Sequence, residues 1–163
     1  AMVLAKTQAA AAKLSTMIQN RDFSKEYLAI IEGKPDENTG IMQDLLFKDS
    51  RKNKSFVVTR KRAGVKEASL EYKLVGTSES GTSLVLIKLH TGRTHQIRVQ
   101  FASRKMPLLG DGKYGSRENR CGTALWSCRL EFKHPMTGEA VAAVSMPENK
   151  WPWTEFALES LIF

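Results

Sequence analysis

Arg93, His95, Gln96 and Arg98 stand within six residues of one another, inside the stretch Leu89–Ala102, LHTGRTHQIRVQFA. Two guanidiniums beside an imidazole and an amide suit an anion, and a polyanion more than a single charge. Their placement depends on what flanks them. The apolar run Leu84-Val85-Leu86-Ile87 has the length and branching of a buried strand. Thr91-Gly92 breaks that pattern, because glycine permits a turn that other residues resist. The period then changes. Ile97 and Phe101 are spaced to share a helix face, with His95 and Arg98 on another. Thr94 is the expected N-cap, and Arg104 and Lys105 suit a last turn, where cations meet the negative helix end. The expectation is strand, turn and helix, with a helix start that receives phosphates. An amphipathic helix with solvated arginines is the competing reading, and spacing alone does not separate the two.

The chain is long enough, at 163 residues, for one domain with a real core. A hydrophobic content of 42% and aromatics at 8% indicate an ordinary globular composition. No apolar run approaches the ~20 residues of a membrane helix, and no signal peptide is visible. Cys121 and Cys128 form no CxxC, and the histidines lack zinc-finger spacing, so no metal site is expected. A disulfide between the two has weak support. A reducing compartment, the cytoplasm, is expected. The charge is concentrated. Lys48–Lys66 carries eight basic residues against Asp49 alone, a net +7 of the chain's +8. Such a patch, including Lys61 and Arg62, suits a nucleic-acid backbone; a solubilising loop is the alternative.

The order of elements is readable. Thr7–Asn20 reads as a helix capped by Thr7, with Leu14, Met17 and Ile18 as its core stripe. Val3 before it reads as strand. Lys25–Glu32 is a strand with Tyr27, Ala29 and Ile31 on one face. Ile41–Phe47 is a further strand, and Phe56-Val57-Val58 one within the basic segment. Ser69–Val75, with Leu70, Tyr72 and Leu74 on one side, turns at Ser78–Gly81 into Ser83–Leu89 as a hairpin. Gly110–Gly115 formally matches GxGxxG but lacks the flanking strand and helix of a dinucleotide site, and reads as a bent loop. Leu125–Lys133 and Ala140–Met146 make a second hairpin. A short helix is expected over Thr154–Leu161, and Trp151 and Trp153 read as core anchors. Several hairpins and few helices imply an α+β fold with a mixed, mostly antiparallel sheet.

TGRTHQIRV followed by GDGKYG resembles the third motif of the RluA-type pseudouridine synthases. KEYLAIIEG (Lys25–Gly33) resembles the segment carrying that family's active-site tyrosine. VLAKTQAAAAKL (Val3–Leu14) resembles the strand and helix after its catalytic motif, and LWSCRLEFKHPMTGE (Leu125–Glu139) its late hairpin. The four occur in family order. The resemblance implies a large mixed sheet with a central cleft, and isomerisation of uridine to pseudouridine in structured RNA, ribosomal or transfer. Uracil is detached, turned and rejoined through carbon, so no cofactor is implied. Tyr27 would be the platform for the flipped base. Arg98 would pair with the catalytic carboxylate and hold it ionised. Leu125 would pack near the base, and Arg93, His95 and Gln96 would line the RNA entrance. The protein is expected to be a monomer.

The chain departs from the family at one decisive place. The family's nucleophilic aspartate lies in a His-Arg-Leu-Asp motif upstream of the stretch resembling Val3–Leu14, and that motif occurs nowhere in the chain. Gln100 and Trp126 also stand where the family often has histidine. Residues 1–163 are therefore expected to form a single, partial pseudouridine synthase catalytic domain, a piece of a longer enzyme. A natural short form that binds RNA without catalysis is the alternative. Asp111 is not expected to substitute as nucleophile, since the resemblance assigns its Gly-Asp to a structural loop; Arg98 is then a cleft cation without its partner.

Overall fold

The computed structural model describes residues 1–20 and 22–161. Helix α1, Gln8–Asn20, begins as expected: Ala10 N–H donates to Thr7 Oγ1 at 3.2 Å, satisfying one orphan amide. Its core stripe is narrower than expected. Leu14 is buried, but Ile18 is 44% exposed. The helix leans only on a corner of the sheet, where Leu14 meets Phe23, Leu130 and Phe132. Phe23 and Phe132 stack there, with ring centroids 4.7 Å apart. Residues before α1 are not a strand; the Ala1 amino group instead donates to the Ser127 carbonyl.

Seven strands follow: β1 Phe23–Glu32, β2 Thr39–Asp49, β3 Lys54–Val58, β4 Val65–Thr77, β5 Thr82–Leu89, β6 Leu125–Lys133 and β7 Ala140–Val144. They form one sheet in the order β3-β2-β4-β5-β1-β6-β7. Every pairing between these strands is antiparallel, so the sheet is less mixed than expected. The physical reason lies in the connections. A parallel neighbour needs a long crossover, and here β5 and β6 both pair with β1, which lies between them.

Strands β1 and β5 are the centre. Leu28, Ala29, Ile30 and Ile31 are all fully buried, because both faces of the sheet are covered at this point. On one face Ala29, Ile31, Leu70, Val85 and Ile87 pack with Ile97 and Phe101 of helix α2, Gln96–Ala102. On the other Leu28, Ile30 and Leu84 pack with Leu109, Cys128 and Trp153. Each such side chain contributes ~1.5–3 kcal/mol on burial. Trp153 is thus a core anchor. Trp151 is half-exposed and lies against the Arg120 guanidinium, 4.4 Å from its ring centroid. The helix expected over Thr154–Leu161 is instead two 3-10 turns, Trp153–Glu155 and Leu158–Ser160. Cys121 and Cys128 are free thiols. No helix among the described residues is long and apolar enough to cross a membrane.

Candidate active site

Helix α2 carries the site, and it starts differently from expectation. His95, not Thr94, holds the N-cap position, in the left-handed region at φ 54° and ψ 26°, with no side-chain cap. The cause is Gln96. Its Oε1 accepts from Thr91 Oγ1 at 2.8 Å and from Arg93 N–H at 3.0 Å, while its Nε2 donates to the Ser69 carbonyl at 3.0 Å. Gln96 is only 3% exposed. It is a bracket that ties the Thr91–Arg93 turn to β4, and does not line an RNA entrance. At seven residues, α2 is also too short to be a strong macrodipole anion site, whose strength comes from many aligned peptides. Arg104 lies beyond the helix end, where it donates to the Gln100 carbonyl at 3.0 Å and to Asp44 Oδ2 at 2.9 Å.

Arg98 has a partner. Its Nε donates to Asp111 Oδ2 at 2.6 Å and its Nη2 to Asp111 Oδ1 at 2.7 Å. This bidentate fork is the strongest geometry available to a carboxylate. Asp111 is 1% exposed, so the pair costs desolvation that the two bonds offset. The expectation of an unpartnered Arg98 is therefore corrected. The same geometry keeps Asp111 from acting as a nucleophile, since both its oxygens are occupied and buried. Its backbone supports the loop too: the Asp111 carbonyl accepts from Tyr114 and Ser116 N–H, closing the 3-10 turn Gly112–Tyr114.

Tyr114 extends the cluster. Its ring lies 5.0 Å from the Arg98 guanidinium and 5.0 Å from Lys54 Nζ. Its hydroxyl accepts from Ser55 N–H at 2.9 Å and lies 2.9 Å from His95 Nδ1. We assign the hydroxyl as donor to Nδ1, which leaves the His95 proton on Nε2. Burial first, then Arg98 and Lys113, hold the His95 pKa below its usual 6.5, so the ring is neutral at pH 7. Hydrogen bonding to Asp111 raises the Arg98 pKa. Sequence reasoning missed Tyr114 and Ser55; the Gly-Asp-Gly-Lys-Tyr-Gly motif was the signal for Tyr114, and nothing in the sequence marked Ser55.

The structure brings Tyr27 and Leu125 together. In the register Tyr27 opposes Ser127 and Leu125 opposes Ala29, so the two are diagonal neighbours on one face. Both pack against the cluster that holds Ile97. The register shifts between Glu26 and Tyr27, a bulge of the kind that re-aims a side chain. Burial raises the Tyr27 pKa, with a Ser127 hydrogen bond opposing, so the phenol stays protonated. Among the described residues no hydrogen bond joins Tyr27 to Arg98. They meet through α2, where Ile97 touches the Tyr27 cluster and Arg98 turns to Asp111.

The other candidates lie apart. Arg93 is exposed, with its Nε donating to the Glu67 carbonyl at 2.9 Å. Lys61 pairs with Glu67 at 2.6 Å on the surface, and Arg62 covers the Phe47 ring at 4.8 Å. Gln100 is buried and donates to Asp44 Oδ2 at 2.7 Å, and Trp126 Nε1 donates to the Ser145 carbonyl at 3.0 Å. A depression lies on each side of His90–Thr91: one of about 150 Å³ between Phe23–Lys25 and Lys88–Gly92, and one of about 730 Å³ over β2, β3 and β4.

Residues 1–103 match the model of the RNA pseudouridylate synthase family. The chain is 34% identical over 151 residues to the uncharacterized RNA pseudouridine synthase YlyB of Bacillus subtilis (strain 168), covering 91% of this chain and 48% of the relative. It is 35% identical over 153 residues to ribosomal large subunit pseudouridine synthase D of Vibrio cholerae, covering 85% of this chain and 46% of that protein. Among solved structures it is similar to human RNA pseudouridylate synthase domain containing 1, at TM-score 0.74 and 26% identity, over 90% of this chain and 63% of that one. The chain spans about half the length of the curated relatives it matches. Its motifs, its antiparallel sheet and the Arg98-bearing helix against the Tyr27 face agree with these matches: the chain belongs to the RNA pseudouridylate synthase family.

Proposed function

We propose that the chain is the uridine-holding part of an enzyme that isomerises uridine to pseudouridine in structured RNA. Arg98 carries this reading: it is clamped in one orientation by Asp111, on the same helix α2 whose Ile97 packs in the cluster that holds Tyr27 and Leu125. A flipped uracil would stack on Tyr27, a contact worth ~1–3 kcal/mol per base. Leu125 would close on its edge. Arg98 would keep a nucleophilic aspartate ionised by charge proximity, and its tie to Asp111 would stop it swinging toward solvent. Detaching and rejoining uracil is redox-neutral, so the chemistry requires no cofactor.

No His-Arg-Leu-Asp sequence occurs in these residues, so catalysis requires that segment from elsewhere. A relative of 35% identity is named for the ribosomal large subunit, which favours ribosomal over transfer RNA as substrate. The two free thiols suit a reducing cytoplasm, and we read the protein as a monomer. The second reading, an RNA-binding module without chemistry, is favoured by the net +7 of Lys48–Lys66.

Tritium release from RNA labelled at uracil carbon 5 tests the proposal, using a chimera with the family's His-Arg-Leu-Asp segment before residue 1. Release is expected, with Arg98→Ala and Tyr27→Phe each losing at least about a hundredfold, the lower end of what one positioned proton-transfer or charge-stabilising group supplies. Full activity in Arg98→Ala would remove that residue from the mechanism. Tight RNA binding with no release would favour the binding module.

A further inference from the structure

The basic segment is not uniform. Lys48 at the end of β2, Lys66 near the start of β4 and Arg93 in the turn before α2 converge on one depression of about 170 Å³, which Gly64, Gly92 and Thr94 also line. Among the described residues no carboxylate lines it. Among the described residues none of these three cations takes part in an ion pair, whereas Lys61, Arg98, Arg104, Arg120, Arg129 and Lys150 all do. Three like charges facing one hollow repel one another, and a bound anion relieves that cost. The volume holds roughly five or six waters at ~30 Å³ each, enough for a tetrahedral oxyanion.

The hollow is built. Gly64 sits at φ +80°, where a side chain is disfavoured, and Gly92, which also lines the hollow, adds no side chain to it. The Glu67 carbonyl holds Arg93 through Nε, and among the described residues neither terminal nitrogen of the fork has a partner, which leaves both oriented for two oxygens. Ser55 ties the hollow to the site. It lines the hollow, donates through Oγ to the Thr94 carbonyl at 2.7 Å and through N–H to the Tyr114 hydroxyl. Tyr114 in turn lies against Arg98.

From this geometry we infer that Lys48, Lys66 and Arg93 form a phosphate subsite, which takes a backbone phosphodiester of RNA beside the nucleotide delivered to Arg98. The phosphate site stands on the three cations and the hollow; its assignment to RNA rests on the function proposed above. An open hollow within a wider positive surface suits a polyanion, because neutralised phosphates release counterions.

Two arms test it. First, the ¹⁵N-labelled chain is titrated with inorganic phosphate at constant ionic strength. Saturable shifts are expected at the Gly64, Gly92 and Thr94 amides. The Lys48→Ala/Lys66→Ala/Arg93→Ala variant should lose them, and the Arg51→Ala/Lys52→Ala/Arg60→Ala variant, which removes the same charge outside the hollow, should keep them. Equal loss in both variants would overturn the site and leave only a diffuse basic surface. Second, binding of a uridine-containing oligoribonucleotide is followed against salt. The pocket variant should shallow the log–log slope by about 2, from three contacts at ~0.7 each for a single strand, and the control variant by less than half of that. Phosphate binding intact with an unchanged RNA slope would overturn the assignment to RNA. Thermal melts confirm that both variants fold. A chimera that releases no tritium would refute the proposed function while leaving the phosphate titration as it is, so the two failures are distinguishable.

Discussion

Arg98 and the trio Lys48, Lys66 and Arg93 are linked through Ser55 and Tyr114, yet the fold treats them oppositely. Arg98 is half-buried, holds a fully buried carboxylate through two short bonds and stacks on Tyr114. Lys48, Lys66 and Arg93 face a shallow hollow with no carboxylate among them. The difference teaches that positive charge alone does not identify a site. A cation neutralised inside the chain is fixed in place and acts by position. A cation left without an internal counter-ion is available to an anion from outside.

The sharpest way to break this comparison is to remove the internal partner. Asp111→Ala leaves the Arg98 charge without its counter-ion in a mostly buried place, and removing one member of such a pair costs ~3–5 kcal/mol. Urea unfolding should show a midpoint lowered by that free energy divided by the m-value, while Lys48→Ala and Lys66→Ala leave the midpoint unmoved. A small shift in Asp111→Ala would mean that Arg98 is not held by the pair, and the contrast between the two groups would fall.

A smaller effect sharpens the comparison, because His95 sits between the two groups. Its pKa is lowered by burial first, then by Arg98 and Lys113, with Lys48 also contributing, while Asp111 opposes. The folded state therefore binds the proton less readily than the unfolded chain, whose histidine titrates near 6.5. The stabilisation from a neutral His95 is fully present above that value. It is lost as pH falls below 6.5 through the lower folded pKa. Melting temperature should fall between pH 7 and pH 5, less steeply in His95→Gln, and an NMR titration should place His95 below 6.5. Phosphate in the hollow should move that titration upward by offsetting Lys48. A His95 that titrates at or above 6.5 would contradict its placement against Tyr114 and the cations.

Much of the fold was legible because strands advertise their period. Tyr27, Ala29 and Ile31 share a face, as do Leu70, Tyr72 and Leu74, and β6 runs over Leu125–Lys133 as read. Tyr27 and Leu125 were brought together by that same alternation. What the sequence did not disclose depends on contacts between distant residues. Thr94 has every local qualification for an N-cap, yet the Gln96 amide, anchored to Ser69, reshapes the turn and puts His95 there. Asp111 pairs with Arg98 only because the loop after α2 folds back over it, and no periodicity records a fold-back. Ile18 lies on the helix face expected to be buried, but α1 meets only a corner of the sheet. The hollow at Lys48, Lys66 and Arg93 joins three segments, and the charge count of Lys48–Lys66 hid which of its cations belonged to it.

The central claim is that the paired cation serves the chemistry and the unpaired ones serve RNA capture. Steady-state tritium release by the His-Arg-Leu-Asp chimera tests it most directly, with Arg98→Ala and the Lys48→Ala/Lys66→Ala/Arg93→Ala variant measured side by side across RNA concentration. The account predicts that Arg98→Ala loses kcat at saturating RNA, whereas the pocket variant keeps kcat and raises KM in a salt-dependent way. A pocket variant that loses kcat with KM unchanged, or an Arg98→Ala enzyme that keeps its kcat, would contradict it.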